Sequence, residues 1–215
     1  MGMVESGIIA AALQVAGYLF YGSKVLREDI LPNPASWLMF AYGTLFLFIV
    51  EWDRDASFAI LALPAACAIS SIAVALYTLR KQRGWWPEHI LEKFSFGLDI
   101  LLTVAYVSAW FFFTGDLISA DMREAATIII LLCWNVGIFT SFFPLLRQVY
   151  HHPRTEHALP WIVWTGAYVM LATVTVMEVG GINELFLYPV INACVHGLIA
   201  IRTAYWHHSH GLSIV

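Results

Sequence analysis

The sequence predicts an all-α membrane protein: seven transmembrane helices arranged as two parallel three-helix repeats joined by a linker helix. Three observations predict it. Hydrophobic residues make up 60% of the 215 positions and charged residues only 12%, against about 25% charged in an ordinary soluble domain. Seven apolar segments are long enough to approach or reach the roughly 20 residues that span a bilayer. Six of those seven read as two copies of one unit.

The repeat is visible residue by residue. Gly17, Leu26 and Arg27 fall on Gly137, Leu146 and Arg147 at an offset of 120. Trp37 falls on Trp161 at an offset of 124, and Pro64, Ala68, Ala75 and Thr78 fall on Pro189, Ala193, Ala200 and Thr203 at 125. The drift accumulates in connecting loops, where insertions are tolerated. Parallel repeats of this kind build two similar bundles around a shared central path.

Taken in order, the spans are 7–26, 36–52, 57–79, 94–114, 125–147, 159–178 and 184–205. The first carries its basic residues after it, so it reads as a retained span and not a cleaved leader. Residues 1–83 form the first triple-helix bundle. Residues 84–116 hold the linker and the fourth span, which restores the chain direction after three crossings. Residues 117–215 form the second bundle and a short tail from Trp206 to His210. Gly84, Trp85, Trp86 and Pro87 read as an interfacial turn anchored by tryptophan.

Charge sets the orientation. Lys24, Arg27, Arg80, Lys81, Arg83, Lys93, Arg147, Arg154 and Arg202 lie toward one side, and only Arg54 and Arg123 toward the other. Positive residues collect on the cytoplasmic side. The expectation is therefore an N-terminus outside, a cytoplasmic C-terminus and residence in the plasma (inner) membrane. The net charge of −4 hides this split and gives no reason to expect a nucleic-acid partner. Cys67, Cys133 and Cys194 all sit within apolar segments with no CxxC pair, so they read as small packing residues.

The three-plus-one-plus-three pattern resembles the SWEET and PQ-loop (MtN3-like) transporter superfamily. Asn33-Pro34-Ala35-Ser36-Trp37-Leu38 looks like the start of the second span in small bacterial PQ-loop-like proteins, and Leu159-Pro160-Trp161 holds the matching place in the second copy. The Pro-Gln dipeptide itself is absent from both copies. The resemblance implies flexible joints at Pro34, Pro144 and Pro160, and a pocket to which Asn192 on the seventh span contributes.

Candidate pocket residues also follow from spacing. Asn192 and His196 are four apart and share one helix face. The repeat sets Cys67 and Ser71 at the equivalent places on the third span. Such a stripe either lines a cavity or bridges helices by hydrogen bonds. Asn135 and Gln14 lie near the middle of spans five and one, with the same two readings. Trp164, Tyr42 and Tyr168 offer aromatic faces suited to a solute pocket. Trp37 and Trp161 stand at span ends, where an interfacial belt is the expectation. Asp99 is expected roughly 6 Å into the fourth span, anchored by a cytoplasmic-side Arg or Lys. Glu51 and Glu178 are expected to be solvated at outer span ends.

No nucleophile elbow, HExxH, P-loop or paired intramembrane carboxylate motif occurs. Span seven has no lysine for a retinal Schiff base. The sequence therefore predicts no enzyme, no cofactor and no metal site. It predicts a small-solute transporter working by alternating access around a central pocket between the two bundles. The alternative is a non-transporting receptor or accessory subunit. Its expected partners are a small-molecule solute, the lipid bilayer, and a second copy of the chain or other subunits of a membrane complex.

Overall fold

The computed structural model describes residues 2–30, 32–81 and 89–213. Among them the chain is helical: α1 (Met3–Leu26), α2 (Pro34–Asp53), α3 (Phe58–Lys81), α4 (Ile90–Thr114), α5 (Ala120–Ser141), α6 (Phe143–His151), α7 (Ala158–Val179) and α8 (Glu184–Ser209), with a 3-10 turn at Pro153–Thr155. Seven spans are long and apolar enough to cross a membrane, α5 and α6 together making the fifth. The shortest has 20 residues, about 30 Å of helix. The expected turn at Gly84–Pro87 lies outside the described residues.

Local chemistry fixes the helix starts. Asn33 accepts the Ser36 N–H at 3.1 Å while Pro34 takes the first helical position, where a missing N–H costs nothing. Ser119 accepts from Met122 N–H, and Asn183 from Leu185 N–H, each meeting a donor that the first turn cannot satisfy internally. Gly180, at φ 71°, ends α7 in the left-handed conformation that favours glycine.

The helix bounds correct the sequence reading in two places. Span four begins at Ile90, so Asp99 lies roughly 14 Å along it and not 6 Å. The expected tail is mostly helical: α8 runs on to Ser209, and His207 is buried with its ring 4.9 Å from that of His157.

α3 packs along both α1 and α2, and α8 along α7 and α5. Across these groups α1 meets α7 closely, α2 meets α5, and α4 lies mainly against α5. Two close approaches depend on glycine. A Cβ on Gly7 would overlap the Ala59 backbone of α3, and one on Gly17 would overlap the Trp164 indole of α7. Leu19, Ile69, Leu101 and Ile201 are exposed on the outside, while Gln14, Ser71, Asn135, Asn192 and His196 are buried. Polar groups inside and apolar groups outside are what a lipid solvent selects.

Alternation of the spans defines two faces. The N-terminal face holds the start of α1 and the α2–α3, α4–α5 and α7–α8 connections. The C-terminal face holds the end of α8 and the remaining connections.

Candidate functional site

A central cavity lies where α1, α2, α3, α5, α7 and α8 converge. Its walls are aromatic: Tyr18, Trp37, Phe40, Phe142, Trp161, Trp164, Tyr168 and Tyr188. Its polar contributors include Cys67, Asp99, Asn192 and His196. The free volume is about 30 Å³. That suits water and falls far below the roughly 300–1,000 Å³ of a small-molecule pocket.

The α8 stripe is the best-defined wall. Tyr188, Asn192 and His196 succeed one another at helical spacing. Asn192 Nδ2 donates to Tyr188 O at 2.9 Å, and His196 Nδ1 lies 2.7 Å from Asn192 O. A carbonyl only accepts, so Nδ1 carries the proton. In the neutral ring Nε2 is then the acceptor. The His196 ring is surrounded by Phe142, Trp161, Trp164 and Tyr168, with centroids 4.9–5.8 Å away.

Opposite, hydroxyls and a thiol form a chain. Tyr18 OH lies 2.5 Å from Ser71 Oγ and 3.3 Å from Cys67 Sγ. Cys67 Sγ lies 3.5 Å from Tyr168 OH, which lies 3.1 Å from Tyr188 OH. Thus Cys67 lines the cavity and Ser71 stands one bond behind it. Gln14 is also one step behind, its Nε2 3.5 Å from Tyr168 OH and its backbone carbonyl accepting Trp164 Nε1–H at 3.0 Å.

Two expected pocket residues lie elsewhere. Tyr42 turns to α4, with its hydroxyl 2.6 Å from Thr103 Oγ1. Asn135 is buried, donates to Leu131 O in its own helix, and is not among the lining residues. Trp37 and Trp161 correct the belt expectation: they are 2% and 1% exposed and line the cavity. The reason is that their indole N–H groups find acceptors inside, Tyr21 OH for Trp37 and Glu156 Oε2 for Trp161. Of the expected joints, Pro34 and Pro160 stand in first helical turns and Pro144 at the break between α5 and α6. The prolines within helices are Pro64 in α3 and Pro189 in α8, where each removes a backbone donor.

The cavity is shut on the C-terminal face by Glu156. This residue is fully buried in the connection before α7. Its Oε1 accepts from Tyr21 OH at 3.2 Å, and its Oε2 from Trp161 Nε1–H at 3.1 Å. Trp37 Nε1–H donates to Tyr21 OH at 3.1 Å. One carboxylate therefore ties α1, and through it α2, to α7. Burial pushes the Glu156 carboxyl up to about 8, against the pull of the Trp161 and Tyr21 hydrogen bonds. Beside it, burial, Lys24 and His207 hold the His157 imidazole below its ordinary value.

On the N-terminal face the closure is ionic. Arg123 of α5 pairs with Asp53 of α2, and Arg54 pairs with Glu184 of α8. Just beneath, Glu51 is 1% exposed and its Oε2 has no hydrogen-bond partner. Glu178 also has a buried, unpartnered oxygen. Glu51 thus corrects the expectation of a solvated carboxylate, while Glu178 is half-buried.

Sequence reasoning passed over Glu156, Tyr18 and Tyr188. Tyr188 was legible as the next turn of the Asn192–His196 stripe, and Tyr18 lies one turn beyond Gln14. Glu156 gave no periodic signal. Among the described residues, no group of three or more potential metal ligands occurs. No protein-family model matches the chain, and neither does any curated protein or solved structure.

Proposed function

We propose that this chain is a small-solute transporter in which two triple-helix bundles alternate around the central cavity. One observation carries the reading. The cavity is closed at both ends by bonds that join the first three spans to the last three: Glu156 with Tyr21 on one face, Asp53–Arg123 and Arg54–Glu184 on the other. A site that must be reached from each side in turn needs two closures that can open separately.

The pairing of the spans supports a repeat. α3 is flanked by α1 and α2 as α8 is by α5 and α7, and α1 meets α7 as α2 meets α5. Pro64 and Pro189 interrupt the two flanked helices. Thr78 and Thr203, paired by the same offset, bond the same two preceding carbonyls of their own helices. On this reading the chain has a SWEET- and PQ-loop-like arrangement, with α4 as the linker. The charge split supports an N-terminus outside, a cytoplasmic C-terminus and the plasma membrane. The cavity must widen well beyond 30 Å³ for a solute to enter, and Pro64 and Pro189 are suited to supply the bend.

The test is uptake and exchange by the full chain in proteoliposomes, with a panel of neutral, anionic and cationic solutes. Saturable movement of at least one solute, lost in Trp164→Ala, is expected. Saturable binding without movement of any solute would favour the receptor reading instead.

A further inference from the structure

Asp99 reaches the cavity from outside the ring of helices that forms it. It sits on α4, which packs on the far side of α5, yet it is 3% exposed and among the cavity's lining residues. Glycine makes this possible. Gly43 of α2 and Gly137 of α5 both line the cavity, and a Cβ on Gly137 would stand 3.1 Å from Asp99 Oδ1. The carboxylate comes in past Gly137 of α5, which has no side chain to block it.

Once inside, it is unmatched. The Asp99 backbone carbonyl accepts from Thr103 Oγ1, but no hydrogen bond or ion pair to its carboxylate oxygens occurs among the described residues. Among the described residues, no Lys or Arg lines the cavity. The expected basic anchor for Asp99 is therefore not found there. A lone charge at this depth is costly unless something compensates it.

The rest of the lining is short of free donors. The three indole N–H groups donate outward, to Tyr21, Glu156 and the Gln14 carbonyl. Thr44 and Ser141 donate to carbonyls of their own helices. Asn192 spends its amide N–H on Tyr188 O, and His196 spends Nδ1–H on Asn192 O. The Tyr18, Tyr168 and Tyr188 hydroxyls and the Cys67 thiol are bonded to one another and to Ser71, so what remains to face an occupant is the Asp99 carboxylate, Asn192 Oδ1, His196 Nε2 and the indole faces. Negative charge, acceptors and π-faces together match one chemistry, that of a cation bearing N–H donors. An anion meets repulsion, and a neutral polyol finds few donors.

We infer that the cavity takes a small organic ammonium ion, with Asp99 as its counter-charge and the tryptophan faces as its walls. The inference rests on reading the cavity as a solute site, and it names the class of solute. Asp99 is a ligand-binding residue in this account and the window at Gly137 is its aperture.

The experiment measures binding to the full chain in lipid nanodiscs by titration calorimetry. The probes are alkylammonium ions from ethyl to hexyl, each matched by the alcohol and the carboxylate of the same carbon skeleton. The expected order is ammonium over alcohol by roughly 10- to 30-fold, as a desolvated cation–π and charge contact provides, with carboxylates weakest. Asp99→Asn should bring ammonium and alcohol to equal affinity. Alcohols or carboxylates binding as tightly as ammonium ions overturn the inference, and so does the absence of ammonium binding. A preference that survives Asp99→Asn overturns the role of Asp99. The wild-type series decides the ligand class even where Asp99→Asn fails to fold. Should neutral or anionic solutes move in proteoliposomes while ammonium ions do not bind, the transporter reading stands and this inference falls. Should ammonium ions bind through Asp99 while no solute moves, the reverse holds.

Discussion

The two faces of the molecule close the same cavity by opposite means. On the N-terminal face the closure is two ion pairs with side chains 16–24% exposed. On the C-terminal face it is one fully buried carboxylate holding a tyrosine and a tryptophan. Ion pairs near the surface contribute about 0–1 kcal/mol each and weaken with salt. A buried carboxyl group whose removal strands two donors holds far more tightly. On the proposed alternating-access reading, the difference sets the order of opening: the N-terminal face should open first, and the C-terminal face only when Glu156 lets go.

Breaking the tighter closure should give the largest effect. Glu156→Ala leaves Tyr21 OH and Trp161 Nε1–H without their acceptor in a dry site. A cost of about 2–5 kcal/mol is expected, seen as a lowered unfolding temperature in nanodiscs.

Next comes the seam beneath it. Gly17→Ala places a methyl group where the Trp164 indole lies. Overpacking of this kind costs about 1–3 kcal/mol, and it should displace Trp164 from the Gln14 carbonyl. Tryptophan fluorescence of the variant checks this.

Protonation sharpens the contrast further. The Glu156 carboxyl is pushed from its ordinary 4.5 up to about 8 in the folded chain. The folded state thus keeps its proton over a range in which the unfolded chain has lost it. Stability from this group is full below about 4.5, declines as pH rises toward about 8, and is level above that. Glu156→Gln should remove this decline and leave the low-pH stability nearly unchanged, as pH-dependent thermal unfolding would read. At the other face, Arg123→Ala should cost about 1 kcal/mol or less and lose its effect at high salt.

The smallest expected effect is at the cavity wall. Asn192→Ala removes Oδ1 and should weaken solute binding roughly 2- to 10-fold. Little change in unfolding temperature is expected where water replaces the amide. A large stability loss with unchanged binding would assign Asn192 to helix packing.

Much of the fold was legible because lipid imposes simple rules. Span length and apolarity predict seven crossings without reference to tertiary contacts, and the structure has seven such spans. The α8 stripe was legible because Asn192 and His196 are polar where polarity is costly. The rest depends on contacts between segments far apart in sequence. Trp37 and Trp161 look interfacial until Glu156, 119 positions beyond the first and five before the second, is seen to take up their hydrogen bonds directly or through Tyr21. Tyr42 is polar-tipped and near mid-span, but only the position of Thr103 on α4 shows which way it turns. Asp99 could not be assigned to the cavity from its own helix, because the glycine it passes, Gly137, lies in α5.

The most direct test of alternating closure is a pair of distances, one across each face, read by spin labels on the full chain in nanodiscs. Phe58→Cys with Glu124→Cys spans the N-terminal face, and Arg27→Cys with Arg154→Cys spans the C-terminal face; all four residues are exposed. Cys133 and Cys194, exposed in the native chain, are replaced by alanine, and buried Cys67 is kept. Glu156→Ala should lengthen the C-terminal-face distance while the N-terminal-face distance stays short, and Arg123→Ala should do the converse. Distances that stay single, narrow and unchanged at both faces in both variants would contradict the account, since the bundles would then form one rigid body.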